Sequence, residues 1–332
     1  MEKNSRIYVA GNRGLVGSAI ERRLRREHDS LITSDIADFD LTDARATDAF
    51  FARTQPEYVF LAAAKVGGIK ANDTFPADFI RINLQIQTNL IDAAFRHKVR
   101  KLLFLGSSCI YPKLAPQPLK EEYLLTGKLE STNDAYAIAK IAGILMCKSY
   151  NRQHGTNFIA AMPTNLYGPG DNFDLQTSHV LPAWIRKFHE AKRTNQGSVE
   201  LWGTGNVRRE LLYVEDLADA LVFLMNHFDA GCEREDEKMF VNIGLGEDIV
   251  LRDLAELVRG IVGYSGDIVW NTALPDGTPR KLLDVGRLHA LGWKAQHTLD
   301  AGIRKTYAWY LANVATKLEM KSGTQQATAG RK

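Results

Sequence analysis

Short apolar runs alternate along this chain with longer stretches whose apolar residues recur at helical spacing. Arg6-Ile-Tyr-Val-Ala10 is the first run and stops at Gly11, after which Leu15, Val16, Ala19, Ile20 and Leu24 fall on one helical face. Further runs at residues 31–33, 58–62, 101–105 and 158–162 predict four more strands. Helical periodicity covers residues 44–52, 79–97 and 135–154 between them. Buried strands separated by helices predict βαβ units on a parallel sheet. Residues 1–165 therefore read as a doubly wound, Rossmann-type α/β domain.

The pattern loosens after Pro163. Gly and Pro cluster at residues 167–170, 202–205 and 274–279, with helices expected at 180–192, 215–226 and 251–262. Residues 166–316 read as a smaller α/β substrate lobe with long loops, expected to return strands to the first sheet. The polar, charged stretch 317–332 reads as a flexible tail.

Composition narrows the functional classes. The 332 residues are 45% apolar and 24% charged with a formal net charge of +3, too weakly basic to suggest a nucleic-acid or membrane partner. Arg22, Arg23, Arg25 and Arg26 form a dense basic run that reads as a solvated helix face. No stretch approaches the roughly 20 apolar residues of a membrane span. The N-terminus enters the first strand without an apolar leader core, so a cytoplasmic location is expected. Cys109, Cys147 and Cys232 lack the spacing of a zinc site or redox pair, and no metal site is expected.

Gly11-Asn12-Arg13-Gly14-Leu15-Val16-Gly17 stands between the first strand and the first helix. There it has the form of a dinucleotide cradle: one glycine for the turn, one for close approach of pyrophosphate, and one for close packing of helix on sheet. Arg13 suits a 2′-phosphate and favours NADP, whereas Asp35, just past the second strand, suits a ribose 2′-OH and favours NAD. Asp40 and Leu41 lie where the adenine would rest, an N-terminal helix cap being the alternative for Asp40.

Tyr136 and Lys140 are four residues apart and share a helix face. An ammonium beside a phenol is expected to lower its pKa and ready it for proton exchange with a carbonyl or alcohol. Ser107 ends the fourth strand at the crevice and can bond the same oxygen.

These features resemble the extended short-chain dehydrogenase/reductase family over nearly the whole chain. Five segments, at residues 62–68, 106–113, 136–143, 162–169 and 275–284, are similar to the branch that acts on GDP-4-keto-6-deoxy-D-mannose. That branch epimerises C3 and C5 and then reduces the C4 ketone with NADPH. The resemblance implies Cys109 and His179 as the acid–base pair for epimerisation, with Ser107, Tyr136 and Lys140 serving the reduction. It further implies Pro163, Asn165, Leu166 and His179 at the nicotinamide end, Lys187, Trp202 and Arg209 on the GDP-sugar, and a homodimer. Many relatives carry basic residues where Ser34-Asp35-Ile36 stands, which leaves NAD open beside the expected NADP, and some carry arginine at Lys187.

Two rivals share the fold. A 4,6-dehydratase calls for an Asp-Glu pair where Ser108 and Cys109 stand, and a simple 4-epimerase needs no second acid–base pair. A non-catalytic dinucleotide sensor would have no use for Ser107, Tyr136 and Lys140 together.

Overall fold

The computed structural model describes residues 1–34, 38–231, 240–274 and 276–316. Its first half runs β1 (Ile7–Ala10), α1 (Leu15–Leu24), β2 (Leu31–Thr33), α2 (Ala44–Thr54), β3 (Tyr58–Leu61), α3 (Ile69–Thr74), α4 (Pro76–Arg96), β4 (Lys101–Leu105), α5 (Asp134–His154) and β5 (Phe158–Pro163). The second half adds β6 (Asn165–Tyr167), α6 (Val180–Arg193), β7 (Ser198–Trp202), β8 (Arg208–Arg209), β9 (Leu211–Tyr213), α7 (Val214–His227) and β10 (Val241–Ile243). It closes with β11 (Ile249–Val250), α8 (Leu251–Val262), β12 (Asp267–Asn271), β13 (Arg280–Lys281), α9 (Gly286–Ala290) and α10 (Leu299–Tyr310).

Six strands form one parallel sheet in the order β10-β5-β4-β3-β1-β2. Its runs are apolar at successive positions because both faces are covered. Tyr8, Val59, Leu102, Phe104 and Phe158 pack to the side of α2, α4 and α5. Their chain neighbours Ile7, Val9, Phe60, Leu103 and Ile159 pack to the side of α1 and α7. The strand order turns back between β1 and β3 and opens a crevice at their carboxyl ends. The sixth strand comes from the second half of the sequence: Val241 aligns with Ala161 and Ile243 with Pro163.

The remaining strands build small sheets beside this crevice. β6 pairs with β9, β7 with β12, and β8 lies between β11 and β13. Trp184, Phe188, Leu201, Leu254, Val258 and Tyr310 form the core of this region. Helix α2 is capped by Asp43, whose carboxylate accepts from the amides of Arg45 at 2.8 Å and Ala46 at 3.1 Å. The cap alternative for Asp40 is therefore corrected: among the described residues its carboxylate accepts from the Thr42 amide, at 2.8 Å, in a local turn.

Candidate active site

The glycine loop has the backbone a dinucleotide requires. Gly11 sits at φ +85°, and a Cβ there would come within 2.8 Å of the Ala63 backbone. A Cβ on Gly17 would come within 2.1 Å of the Gly11 carbonyl, so α1 lies against the loop as only glycine allows. Gly14 precedes α1 without a side-chain cap, leaving first-turn amides of Leu15 and Val16 directed at the loop. Asn12 donates to Glu21 at 3.1 Å while its own side-chain oxygen is buried without a partner among the described atoms. This cradle fits a pyrophosphate. Arg13 and Asp40 are exposed, and the Leu41 carbonyl is fixed by Asn89 at 2.9 Å. Asp35 lies outside the described residues.

At the carboxyl end of β4, Ser107 turns the chain into a short 3₁₀ segment, Ser108–Ile110, and its hydroxyl accepts from the Cys109 amide at 3.4 Å. Across the crevice α5 presents Tyr136, which hydrogen-bonds Ser107 and meets Phe79 edge-to-face at 6.3 Å. One turn on, the Lys140 ammonium donates to the Leu105 carbonyl at 2.8 Å and stands 5.7 Å from the Tyr136 ring centroid. Ser107, Cys109, Tyr136 and Lys140 thus form one cluster.

Its electrostatics differ from the sequence expectation. Burial drives the Tyr136 phenol well above its ordinary range, the Cys109 charge adds to that, and the Ser107 hydrogen bond only partly opposes it. Burial likewise pushes Lys140 down to about 8. The expected lowering of the phenol by Lys140 is corrected, because the ammonium is spent on Leu105 and desolvation dominates. Cys109 is raised by burial, against the opposing charges of Lys281 and Lys140 and a hydrogen bond from Ser107. His179, at the N-cap of α6, is exposed yet is pushed below its ordinary value by desolvation and by Lys281. Both shifts favour the uncharged forms, a thiol at Cys109 and a neutral imidazole at His179.

Toward the nicotinamide end, Pro163 ends β5, Asn165 donates to the Glu210 carbonyl at 2.9 Å, and Leu166 packs into the sheet core. Lys187 is half-buried and reaches from α6 to the Glu200 carbonyl at 3.0 Å. Trp202 ends β7 with 62% of its surface exposed, which excludes core packing as its role. Arg209 is half-buried beside Asp276, and Asp276 accepts from the Thr204 amide and hydroxyl at 2.6 and 2.8 Å. Trp202 and Arg209 thereby share one rim. Cys147 is buried core, its thiol pushed up to about 12, and Cys232 lies outside the described residues.

Two groups at this site carried no sequence signal of their own. Lys281 lies in the 275–284 segment and its charge acts on Cys109, His179, Arg209 and Glu210. Glu210 is fully buried. Nothing in hydrophobic patterning distinguishes a buried glutamate from an exposed one.

A model of the NAD dependent epimerase/dehydratase family matches residues 7–244. The chain belongs to this family. Among its members, a protein of Arabidopsis thaliana described as putative GDP-L-fucose synthase 2 is 55% identical over 96% of this chain and 95% of its own length. The GDP-L-fucose synthase of Escherichia coli strain K12 is 51% identical over 93% of this chain and 97% of its own. A solved family structure, the GDP-mannoheptose C4 reductase of Campylobacter jejuni with NADP bound, superposes with a TM-score of 0.86 at 41% identity, covering 94% and 99% of the two chains.

Proposed function

We propose that this chain is a GDP-L-fucose synthase, converting GDP-4-keto-6-deoxy-D-mannose to GDP-L-fucose by 3,5-epimerisation and NADPH-dependent reduction at C4. The observation that carries the reading is the Cys109 thiol in the same cluster as Ser107, Tyr136 and Lys140. A ketone reductase needs the latter three alone. A thiol beside them adds a group that can exchange protons α to the ketone.

In this reading Cys109 and His179 work on opposite faces of the sugar, one taking the C3 or C5 proton and the other returning one. The neighbouring C4 carbonyl makes those protons acidic, and Ser107 and Tyr136 hold its oxygen as charge develops there. Tyr136 then gives its proton to O4. Lys140 orders this end of the site through its bond to Leu105. Gly11 to Gly17, with Asn165, Leu166 and neighbouring backbone, would hold NADPH, which would supply the hydride when bound. Lys187 and Arg209 carry charge suited to a diphosphate, and Trp202 offers a face to a ring.

Among the described residues no helix is long and apolar enough to cross a membrane. A cytoplasmic homodimer is part of the proposal. It draws support from α5, whose Ile138 and Leu145 remain 42% and 38% exposed in the single chain.

The test is direct. Purified protein is given GDP-4-keto-6-deoxy-D-mannose with NADPH or NADH, and cofactor absorbance and sugar product are followed. GDP-L-fucose with preferential NADPH consumption is the expected result. A C4-reduced product with unchanged C3 and C5 would remove the epimerase half and leave a reductase.

A further inference from the structure

Cys109 sits in a single 3₁₀ turn, Ser108–Ile110, held between two anchors. Ser108 and Ile110 are buried, and so is Tyr111 after them, whereas Cys109 keeps a partly open side. The first anchor is the end of β4. There Ser107 accepts from the Cys109 amide through its hydroxyl at 3.4 Å and from the Ile110 amide through its carbonyl at 3.2 Å. The second anchor is the Tyr111 side chain, whose hydroxyl donates to the Asn242 side-chain oxygen at 2.5 Å across 131 positions of sequence. The next tie along the chain, from the Lys113 amide to the Lys128 carbonyl at 2.9 Å, goes to an exposed residue.

Asn242 has no freedom to turn away. It is the middle residue of β10, aligned with Met162 of β5, and is fully buried. Its side-chain nitrogen donates to the carbonyls of Leu119 at 2.9 Å and Asp284 at 3.1 Å, and its backbone amide donates to Glu121 at 3.1 Å. Carbonyls can only accept, so the nitrogen must face those two and the oxygen must face Tyr111. The Tyr111 hydroxyl is then obliged to donate. Burial raises this phenol well above its ordinary value, which keeps the proton on it. The residues of the reduction are held by other means: Lys140 by the Leu105 carbonyl, and α5 by Gln87, whose side chain donates to the Ala139 carbonyl at 2.7 Å.

We propose that Tyr111, through its bond to Asn242, is the positioning residue for Cys109. The inference rests on Cys109 being one of the epimerisation pair. Proton transfer between carbon and sulfur demands close and aligned approach, and a misplacement of about 1 Å costs on the order of 10²-fold. Loss of the Tyr111 bond frees the far end of a one-turn segment and leaves its near end on β4. Proton exchange at C3 and C5 therefore depends on this bond more than hydride transfer at C4 does.

Tyr111→Phe removes one hydroxyl and keeps the ring. Two reactions of the full-length enzyme are compared. Deuterium uptake at C3 and C5 of GDP-4-keto-6-deoxy-D-mannose, followed by NMR in heavy water with NADP⁺ in place of NADPH, reads Cys109. The initial rate of GDP-L-fucose oxidation by NADP⁺ reads hydride transfer at C4. Tyr111→Phe should slow uptake about tenfold, with the oxidation rate and its KM within about twofold of the parent. Parental uptake in Tyr111→Phe overturns the proposal. A fall of both reactions together, with a lower melting temperature, marks a merely structural hydroxyl and overturns it as well. Undiminished uptake in Cys109→Ala would instead refute the acid–base pair, and that result is read in an enzyme whose Tyr111 is intact.

Discussion

The Lys140 ammonium sits 5.7 Å from the centre of the Tyr136 ring but gives its hydrogen bond to the carbonyl of Leu105 at 2.8 Å. The lysine thus anchors α5 to the end of β4 and reaches the phenol only as a nearby charge. Replacing Tyr136 with Phe removes the proton donor and leaves this anchor intact. NADPH oxidation should fall by roughly 10²–10⁴-fold, while deuterium uptake at C3 and C5, followed by NMR, continues at a comparable rate.

The Gly11 loop makes a steric prediction. A Cβ at Gly17 would meet the Gly11 carbonyl at 2.1 Å and the Asn12 Cα at 2.9 Å, both backbone atoms that no rotamer change can move. Gly17→Ala should weaken NADPH binding more than about tenfold and lower stability by about 1–3 kcal/mol. Fluorescence titration and thermal melting read the two effects.

Asp171 predicts a pH effect. Burial raises its carboxyl to about 7, and one carboxylate oxygen is buried with no hydrogen-bond partner among the described atoms. Between the ordinary carboxylate range and pH 7 the folded protein binds more protons here than the unfolded chain does. The contribution of this group to stability is therefore present at low pH and is lost as pH rises toward 7. Asp171→Asn removes that loss. The variant should be more stable than the parent by about 1–3 kcal/mol at pH 8, the gap closing near pH 4. Urea midpoints at several pH values test this.

Trp202 is open to solvent at the end of β7, so truncating it costs little of the fold. In the proposed reading its face meets the nucleotide-sugar. Trp202→Ala should raise KM for the GDP-sugar about tenfold, with kcat and melting temperature near those of the parent. A matching fall in melting temperature would assign Trp202 to packing.

The parallel sheet was legible because strands buried on both faces write themselves as continuous apolar runs, and β1 to β5 fall within a residue or so of the positions expected. The helix over 251–262 coincides with its periodicity, since Leu251, Leu254, Ala255, Val258 and Val262 all face inward. The two- and three-residue strands β6, β8, β9, β11 and β13 were not legible. Strands so short carry no period, and long-range pairing alone selects them. At the site, residue types and spacing pointed to Ser107, Tyr136 and Lys140, which the fold brings together with Cys109. The directions of their pKa shifts were not readable, because burial overrides the charges that a sequence shows side by side. Lys281 and Glu210 escaped notice since their significance comes from a strand register 72 residues apart, Lys281 against Arg209.

The placement of Val241–Ile243 on the outer edge of β5 bears on how the chain is made. A ribosome delivers the first five strands of the sheet long before the sixth. Until residue 243 has emerged, the β5 edge has backbone groups with no strand beside them, and the core around Ile159 and Ala161 lacks Val241 and Ile243, and before residue 227 the α7 residues as well. The nucleotide-cradling half is therefore completed late in synthesis, and a nascent chain stalled near residue 165 is the species most in need of protection from association.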